Sequence, residues 1–215
     1  MQIEEGEATG LGIKVLFSRK YRKMTAFVSL YFMLNVIPYF AIYTFLPTLL
    51  GAFGMENDFS ADLLLNIVLL GGAVLGTWFA GIMPRKLHAV GCFVLACLGL
   101  LVLAFVPESE RMVVLLAFSA FTIAISAGCT LDTVLPSECL PTKVRASANG
   151  VATAFSRFAA ALATFLLPLA LANLGTFWTM GALALVCVLG AVMCYAWTPA
   201  TERLSLSEAS SGSTD

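Results

Sequence analysis

Phe158–Thr201 reads FAAALATFLLPLALANLGTFWTMGALALVCVLGAVMCYAWTPAT and contains no charged residue. A run of about 18 or more apolar residues is long enough to cross a bilayer as a helix, and this run is about twice that long. Near its middle, Asn173-Leu174-Gly175-Thr176 supplies turn-forming residues. Arg157 is the only charge between Ala146 and Thr201. The region therefore reads as two helices folded back on each other. Working outward, Met24–Met55, Leu63–Pro84, Ala89–Pro107 and Met112–Leu131 are also free of charge. Each is one crossing, so the expected fold is an all-α membrane protein of six transmembrane helices. The expected spans are 26–50, 61–83, 89–106, 112–135, 148–172 and 176–198. Residues 1–25 form a basic arm and 199–215 a tail, leaving almost no room for a soluble domain.

Composition agrees with this reading. Hydrophobic residues make up 60% of the chain and charged residues 12%, whereas soluble domains carry roughly 45–50% and 25%. The segment before Gly12 is acidic and lacks the apolar core of a cleavable signal peptide. The six cysteines (Cys92, Cys97, Cys129, Cys139, Cys187 and Cys194) lie in or beside spans with no Cys-x-x-Cys pair, and read as packing residues.

Basic residues set the orientation, because short cytoplasmic loops collect Lys and Arg. Lys14, Arg19, Lys20, Arg22 and Lys23 precede the first span. Arg85 and Lys86 follow the second, Lys143 and Arg145 the fourth, and Arg203 the sixth. All ten fall on one side of a six-span topology; Arg111 stands alone on the other. Both termini are thus expected in the cytoplasm. The first span is expected to be kinked or tilted, because Pro38 and Pro47 each remove a backbone donor. Gly72-x-x-x-Gly76 and Ala124-x-x-x-Gly128 offer close-approach surfaces of a kind that apolar helices also produce by chance.

The segment after the fourth span, Pro136-Ser137-Glu138-Cys139-Leu140-Pro141-Thr142-Lys143-Val144-Arg145-Ala146, resembles the Pro-x-Glu-x-x-Pro-Thr-x-x-Arg-Ala motif of the major facilitator superfamily. In the sugar-porter and metabolite-porter branch that motif follows the tenth of twelve spans. Asn35-Val36-Ile37-Pro38-Tyr39-Phe40 resembles the branch's seventh span. Pro84-Arg85-Lys86 stands where it carries Gly-Arg-Arg, and Pro199-Ala200-Thr201-Glu202-Arg203-Leu204-Ser205-Leu206 resembles the signature after its last span. The resemblance covers about Leu16 to Leu206. It implies the C-terminal half of a twelve-helix carrier, built from two inverted three-helix units, with substrate bound between halves near mid-membrane. A bacterial cytoplasmic (inner) membrane is the expected location. Three departures stand out. Pro84 replaces a glycine, Ala200 and Leu204 replace a carboxylate and a glycine, and the Pro-Trp pair that sugar porters place before the motif's Glu is absent.

Tyr31, Asn35, Tyr39 and Tyr43 recur every four residues and share a slowly turning helix face. Polar groups are costly in lipid, so this face should look inward, either onto substrate or onto a neighbouring helix. Asn66 in the second span is a further substrate-binding candidate. Glu138, Arg145 and Arg85 sit at the cytoplasmic mouth. The resemblance implies a latch there, and ordinary solvated charge is the plainer reading. Asp132 and Arg157 are the charges placed inside spans and are candidates for coupling. Asp132, about four residues from the expected helix end, could instead be wetted. His88, the sole histidine, is expected in a loop beside Lys86.

No Gly-x-Ser-x-Gly, His-Glu-x-x-His or phosphate-cradling Gly-rich loop occurs. No enzyme activity, cofactor, metal or nucleic-acid partner is implied. The expected function is secondary transport of a small organic solute such as a metabolite, organic acid or sugar, proton-coupled or facilitative. The expected partners are that solute, the bilayer, and either an N-terminal half or a second copy. Two other classes remain beside it: a non-transporting remnant or assembly subunit, and an intramembrane enzyme.

Overall fold

The computed structural model describes Leu16 and residues 22–52, 59–106, 110–139 and 142–197. The described residues form helices and contain no strand. They are α1 (Arg22–Thr44), α2 (Leu46–Ala52), α3 (Phe59–Ile82), α4 (Arg85–Phe105), α5 (Arg111–Cys139) and α6 (Thr142–Trp197). Five of them, all but α2, are long and apolar enough to cross a membrane. α6 accounts for two crossings. Gly175 has φ 79° and ψ 173°, a conformation open essentially to glycine alone, and the helix breaks there. Val151 and Trp197 line the same cavity, although an unbroken helix would hold them about 69 Å apart. Phe177 meets Phe105 at the end of α4, with ring centroids 5.3 Å apart. Lys86 Nζ lies 4.2 Å from the Tyr195 ring at the start of α4. The second arm of α6, residues 176–197, therefore runs back antiparallel along α4.

The two three-helix runs of the chain interlock. α1 and α4 pack on α6, while α3 and α4 pack on α5. Small residues permit the closest approaches. A Cβ on Gly76 would stand 2.5 Å from the Ala127 Cα, and one on Gly72 would stand 2.9 Å from the Ile123 Cα. Ser126 Oγ adds a 2.7 Å hydrogen bond to the Leu69 carbonyl at this seam. The Gly72/Gly76 pair is thus a true helix–helix contact rather than a chance pattern. The core between α1, α4, α5 and α6 is filled by Phe27, Tyr31, Phe93, Phe118, Phe121 and Leu100. The cysteines whose side chains are described are unpaired; Cys97, Cys187 and Cys194 are buried in that packing.

Three expectations change. The first span is not one kinked helix to residue 50: it is interrupted at Phe45 and resumes as α2, with Pro47 in its first turn, where a missing N–H costs nothing. Pro38 is accommodated inside α1. His88 is not in a loop. Only Met83 and Pro84 separate α3 from α4, and the His88 N–H donates to the Pro84 carbonyl at 2.9 Å in the first turn of α4. Its ring is buried, with no hydrogen-bond partner on either nitrogen. The motif read as the fourth loop is also largely helical. α5 continues through Pro136 to Cys139, and α6 begins at Thr142. Loss of one intrahelical donor at Pro136 is tolerated near a helix end.

Candidate functional site

α1 lays its polar stripe onto α5. The Tyr31 hydroxyl donates to the Gly128 carbonyl at 2.9 Å, and its ring stands edge-on to Phe93 with centroids 5.7 Å apart. Tyr31 is wholly buried. The amide of Asn35, also buried, donates from Nδ2 to Cys129 Sγ at 3.4 Å and, more weakly, to Asp132 Oδ2 at 3.5 Å. Gly128 makes room for this amide, because a Cβ there would lie 3.0 Å from Asn35 Oδ1. The Tyr43 hydroxyl donates to Thr122 Oγ1 at 3.0 Å. Tyr39, half-buried, stacks on Tyr43 at 5.1 Å and 26° and meets Phe40 edge-on at 5.2 Å.

Beside this seam lies a cavity of about 390 Å³ between α1, α5 and the first arm of α6. It is lined by Phe32, Val36, Tyr39, Phe40, Cys129, Asp132, Thr153, Ser156 and Arg157. It holds one anionic and one cationic side chain among aromatic and hydroxyl groups. Asp132 Oδ2 accepts the Asn35 bond, while Oδ1 is enclosed with no hydrogen-bond partner. Asp132 as a whole is half-buried and lines the cavity, and α5 extends seven residues beyond it, to Cys139. Arg157 is exposed and places its guanidinium carbon 5.4 Å from the Phe40 ring centroid, within cation–π range. The two in-span charges singled out from sequence thus line one cavity, although they are 25 residues apart on different helices.

The remaining candidates separate. Tyr31 and Tyr43 point into the α1–α5 seam. Asn35 sits behind Asp132, and Tyr39 alone of the stripe lines the cavity. Asn66 is exposed on α3 and is not part of the cavity lining. Arg85 and Arg145 are half-buried at the starts of α4 and α6. Glu138 is in the last turn of α5, but its side chain lies outside the described residues, as does the basic arm at Lys14, Arg19 and Lys20. Phe32, Phe40, Cys129, Thr153 and Ser156 were not anticipated. For two of them the signal was helical spacing from residues that were: Thr153 precedes Arg157 by four and Cys129 precedes Asp132 by three.

The family description "Sugar (and other) transporter" matches residues 2–212. The chain belongs to this family of the major facilitator superfamily. It is 41% identical over 199 residues to the inner membrane metabolite transport protein YgcS of Escherichia coli (strain K12), covering 93% of this chain and 44% of that protein. It is 29% identical over 198 residues to the putative metabolite transport protein YaaU of the same organism, covering 91% and 45%. The chain therefore spans less than half the length of the curated relatives it matches. It is a multi-pass membrane protein of a transporter family, not of an enzyme family.

Proposed function

We propose that this chain is the C-terminal six-span half of a secondary carrier that moves a small organic solute by alternating access. The α1–α5–α6 cavity would supply one wall of the solute site. The observation that carries this reading is the cavity itself, where Asp132, Tyr39 and Arg157 converge from three elements beside an aromatic surface. An isolated charge among apolar helices is expensive and is retained where it has work to do. Arg157 can pair with a carboxylate or hydrogen-bond hydroxyls of a metabolite, organic acid or sugar. Phe40 and Tyr39 offer ring faces. The unpartnered Asp132 Oδ1 can take and release a proton, which makes solute–proton symport the favoured coupling. Asn35 positions that carboxyl.

Alternating access needs a second bundle, supplied by an N-terminal half or by another copy of the chain. Both termini would face the cytoplasm. Glu138 with Arg145 and Arg85 would close that side when the carrier faces outward. The test is uptake of labelled sugars and carboxylic acids by proteoliposomes holding the chain together with an N-terminal six-span half. The expected result is uptake that a proton gradient accelerates and that Asp132→Asn abolishes. Gradient-independent uptake, unchanged in Asp132→Asn, would remove Asp132 from the mechanism. A well-folded complex that moves nothing would favour an assembly subunit or remnant.

A further inference from the structure

A second cavity lies apart from the one above. It has a volume of about 640 Å³ and lies between the start of α1, the first arm of α6 and the end of α6. Its lining is almost wholly apolar, with Leu30, Met33, Val151 and Phe155 as walls and Trp197 at the rim. Arg22 and Lys23 stand exposed at its mouth. Thr25 lies one turn below them, 6% exposed, with its hydroxyl buried and unpartnered. From Arg22 to Met33 the α1 wall is eleven residues long, about 16 Å at helical rise. That is close to one leaflet of hydrocarbon, half of a core about 30 Å thick.

We infer that this groove holds one anionic phospholipid. The order of groups along α1 is the order of groups along such a lipid. The guanidinium and ammonium of Arg22 and Lys23 meet the headgroup phosphate. The Thr25 hydroxyl donates to an ester carbonyl, satisfying a group that is costly to leave unmade. The acyl chain lies over Leu30, Met33 and Phe155, and Trp197 sits at headgroup depth, where indoles concentrate. Charge complementarity at the mouth selects the occupant. A zwitterionic lipid would fill the same groove but place its own cation beside the two basic residues. The site requires only that the chain is embedded in a bilayer and does not depend on the transport reading.

The full chain in mild detergent, with Trp78→Phe and Trp178→Phe, retains Trp197 as its one indole; both replaced residues are exposed on the outside of the bundle. Phosphatidylglycerol or phosphatidylcholine with brominated acyl chains is then titrated as a quencher. Half-quenching is expected with phosphatidylglycerol at a mole fraction lower by at least about fivefold, the share of a single basic residue near a membrane surface. Arg22→Gln with Lys23→Gln should erase that preference, while Lys86→Gln should leave it intact. Thr25→Val should weaken both lipids alike, by roughly two- to tenfold. Equal quenching by the two lipids in the parent would overturn the assignment. So would a preference that survives loss of Arg22 and Lys23, or one that Lys86→Gln removes equally, since that would be general surface charge. Phosphatidylglycerol retained by the tryptophan-complete chain in native mass spectrometry provides the same comparison without the phenylalanine substitutions.

Discussion

α1 and α3 are apolar helices of nearly equal length, 23 and 24 residues, yet they sit in the bundle in opposite ways. The more hydropathic of the two is the less buried. α3 keeps only 22% of its apolar stretch inside the bundle, whereas α1 keeps 50%. In water the reverse would hold. In a bilayer the surroundings are as apolar as the side chains, so apolarity supplies no reason to turn inward. What turns a helix inward is polar groups needing partners and small residues allowing contact. α1 has the first kind, in Tyr31, Asn35 and Tyr43, and each finds its partner on α5. α3 has the second kind, at Gly72 and Gly76. It offers Leu63, Ile67, Leu70, Val74 and Trp78 outward, where they are exposed and suited to lipid.

The largest expected effect would come from closing the one inward stripe of α3. Gly76→Leu forces side-chain atoms into the Ala127 backbone and should cost at least about 1–3 kcal/mol, whereas Gly71→Leu, which has nothing within 4 Å, should cost almost nothing. Thermal unfolding followed by size-exclusion chromatography in detergent separates the two. Equal losses would mean that the α3–α5 seam is not the tight contact described.

Next comes the charge that α1 meets through Asn35. Asp132→Asn should leave the fold intact but abolish gradient-driven uptake in a complete carrier, since the one in-cavity carboxyl is lost. Smaller again is Tyr31→Phe, which deletes one buried hydrogen bond to the Gly128 carbonyl and should cost about 0.5–1.5 kcal/mol of stability with little change in solute affinity. If Tyr31→Phe changed affinity more than Tyr39→Phe, the division of the stripe into packing and cavity residues would be wrong. The smallest effect belongs to the outer face of α3, where Ile67→Val should stay within about 0.5 kcal/mol.

Much of this architecture was legible in the residues. The charge-free runs gave the crossings, and Asn173-Leu174-Gly175-Thr176 gave the reversal that Gly175 makes. The stripe on α1 was legible as a face but not as a set of roles. Residues four apart drift by about 40° per step on a helix of 3.6 residues per turn, so the stripe fans over about 120° from Tyr31 to Tyr43, and spacing alone does not say which members meet α5 and which line the cavity. Asp132 was legible as an in-span charge with two readings, coupling or wetting, because its distance from the helix end alone does not say what packs over it; α5 runs on through Pro136 to Cys139. His88 was placed in a loop because Pro84 was read as the middle of a connection, when it caps the next helix directly. The cavity could not be read at all, since it joins residues from three helices whose lateral order no spacing along the chain specifies.

The central claim is that the α1–α5–α6 face, and not the α3 face, looks onto the solute path. It is tested most directly by cysteine accessibility at two positions. The chain, freed of its native cysteines, would replace the matched portion of the E. coli relative with which it shares 41% identity. A single cysteine would then stand at Thr153, on the cavity lining, or at Val74, on the exposed face of α3. A membrane-impermeant thiol reagent should label position 153 and leave position 74 unmodified. Labelling at 74 with none at 153 would contradict the account.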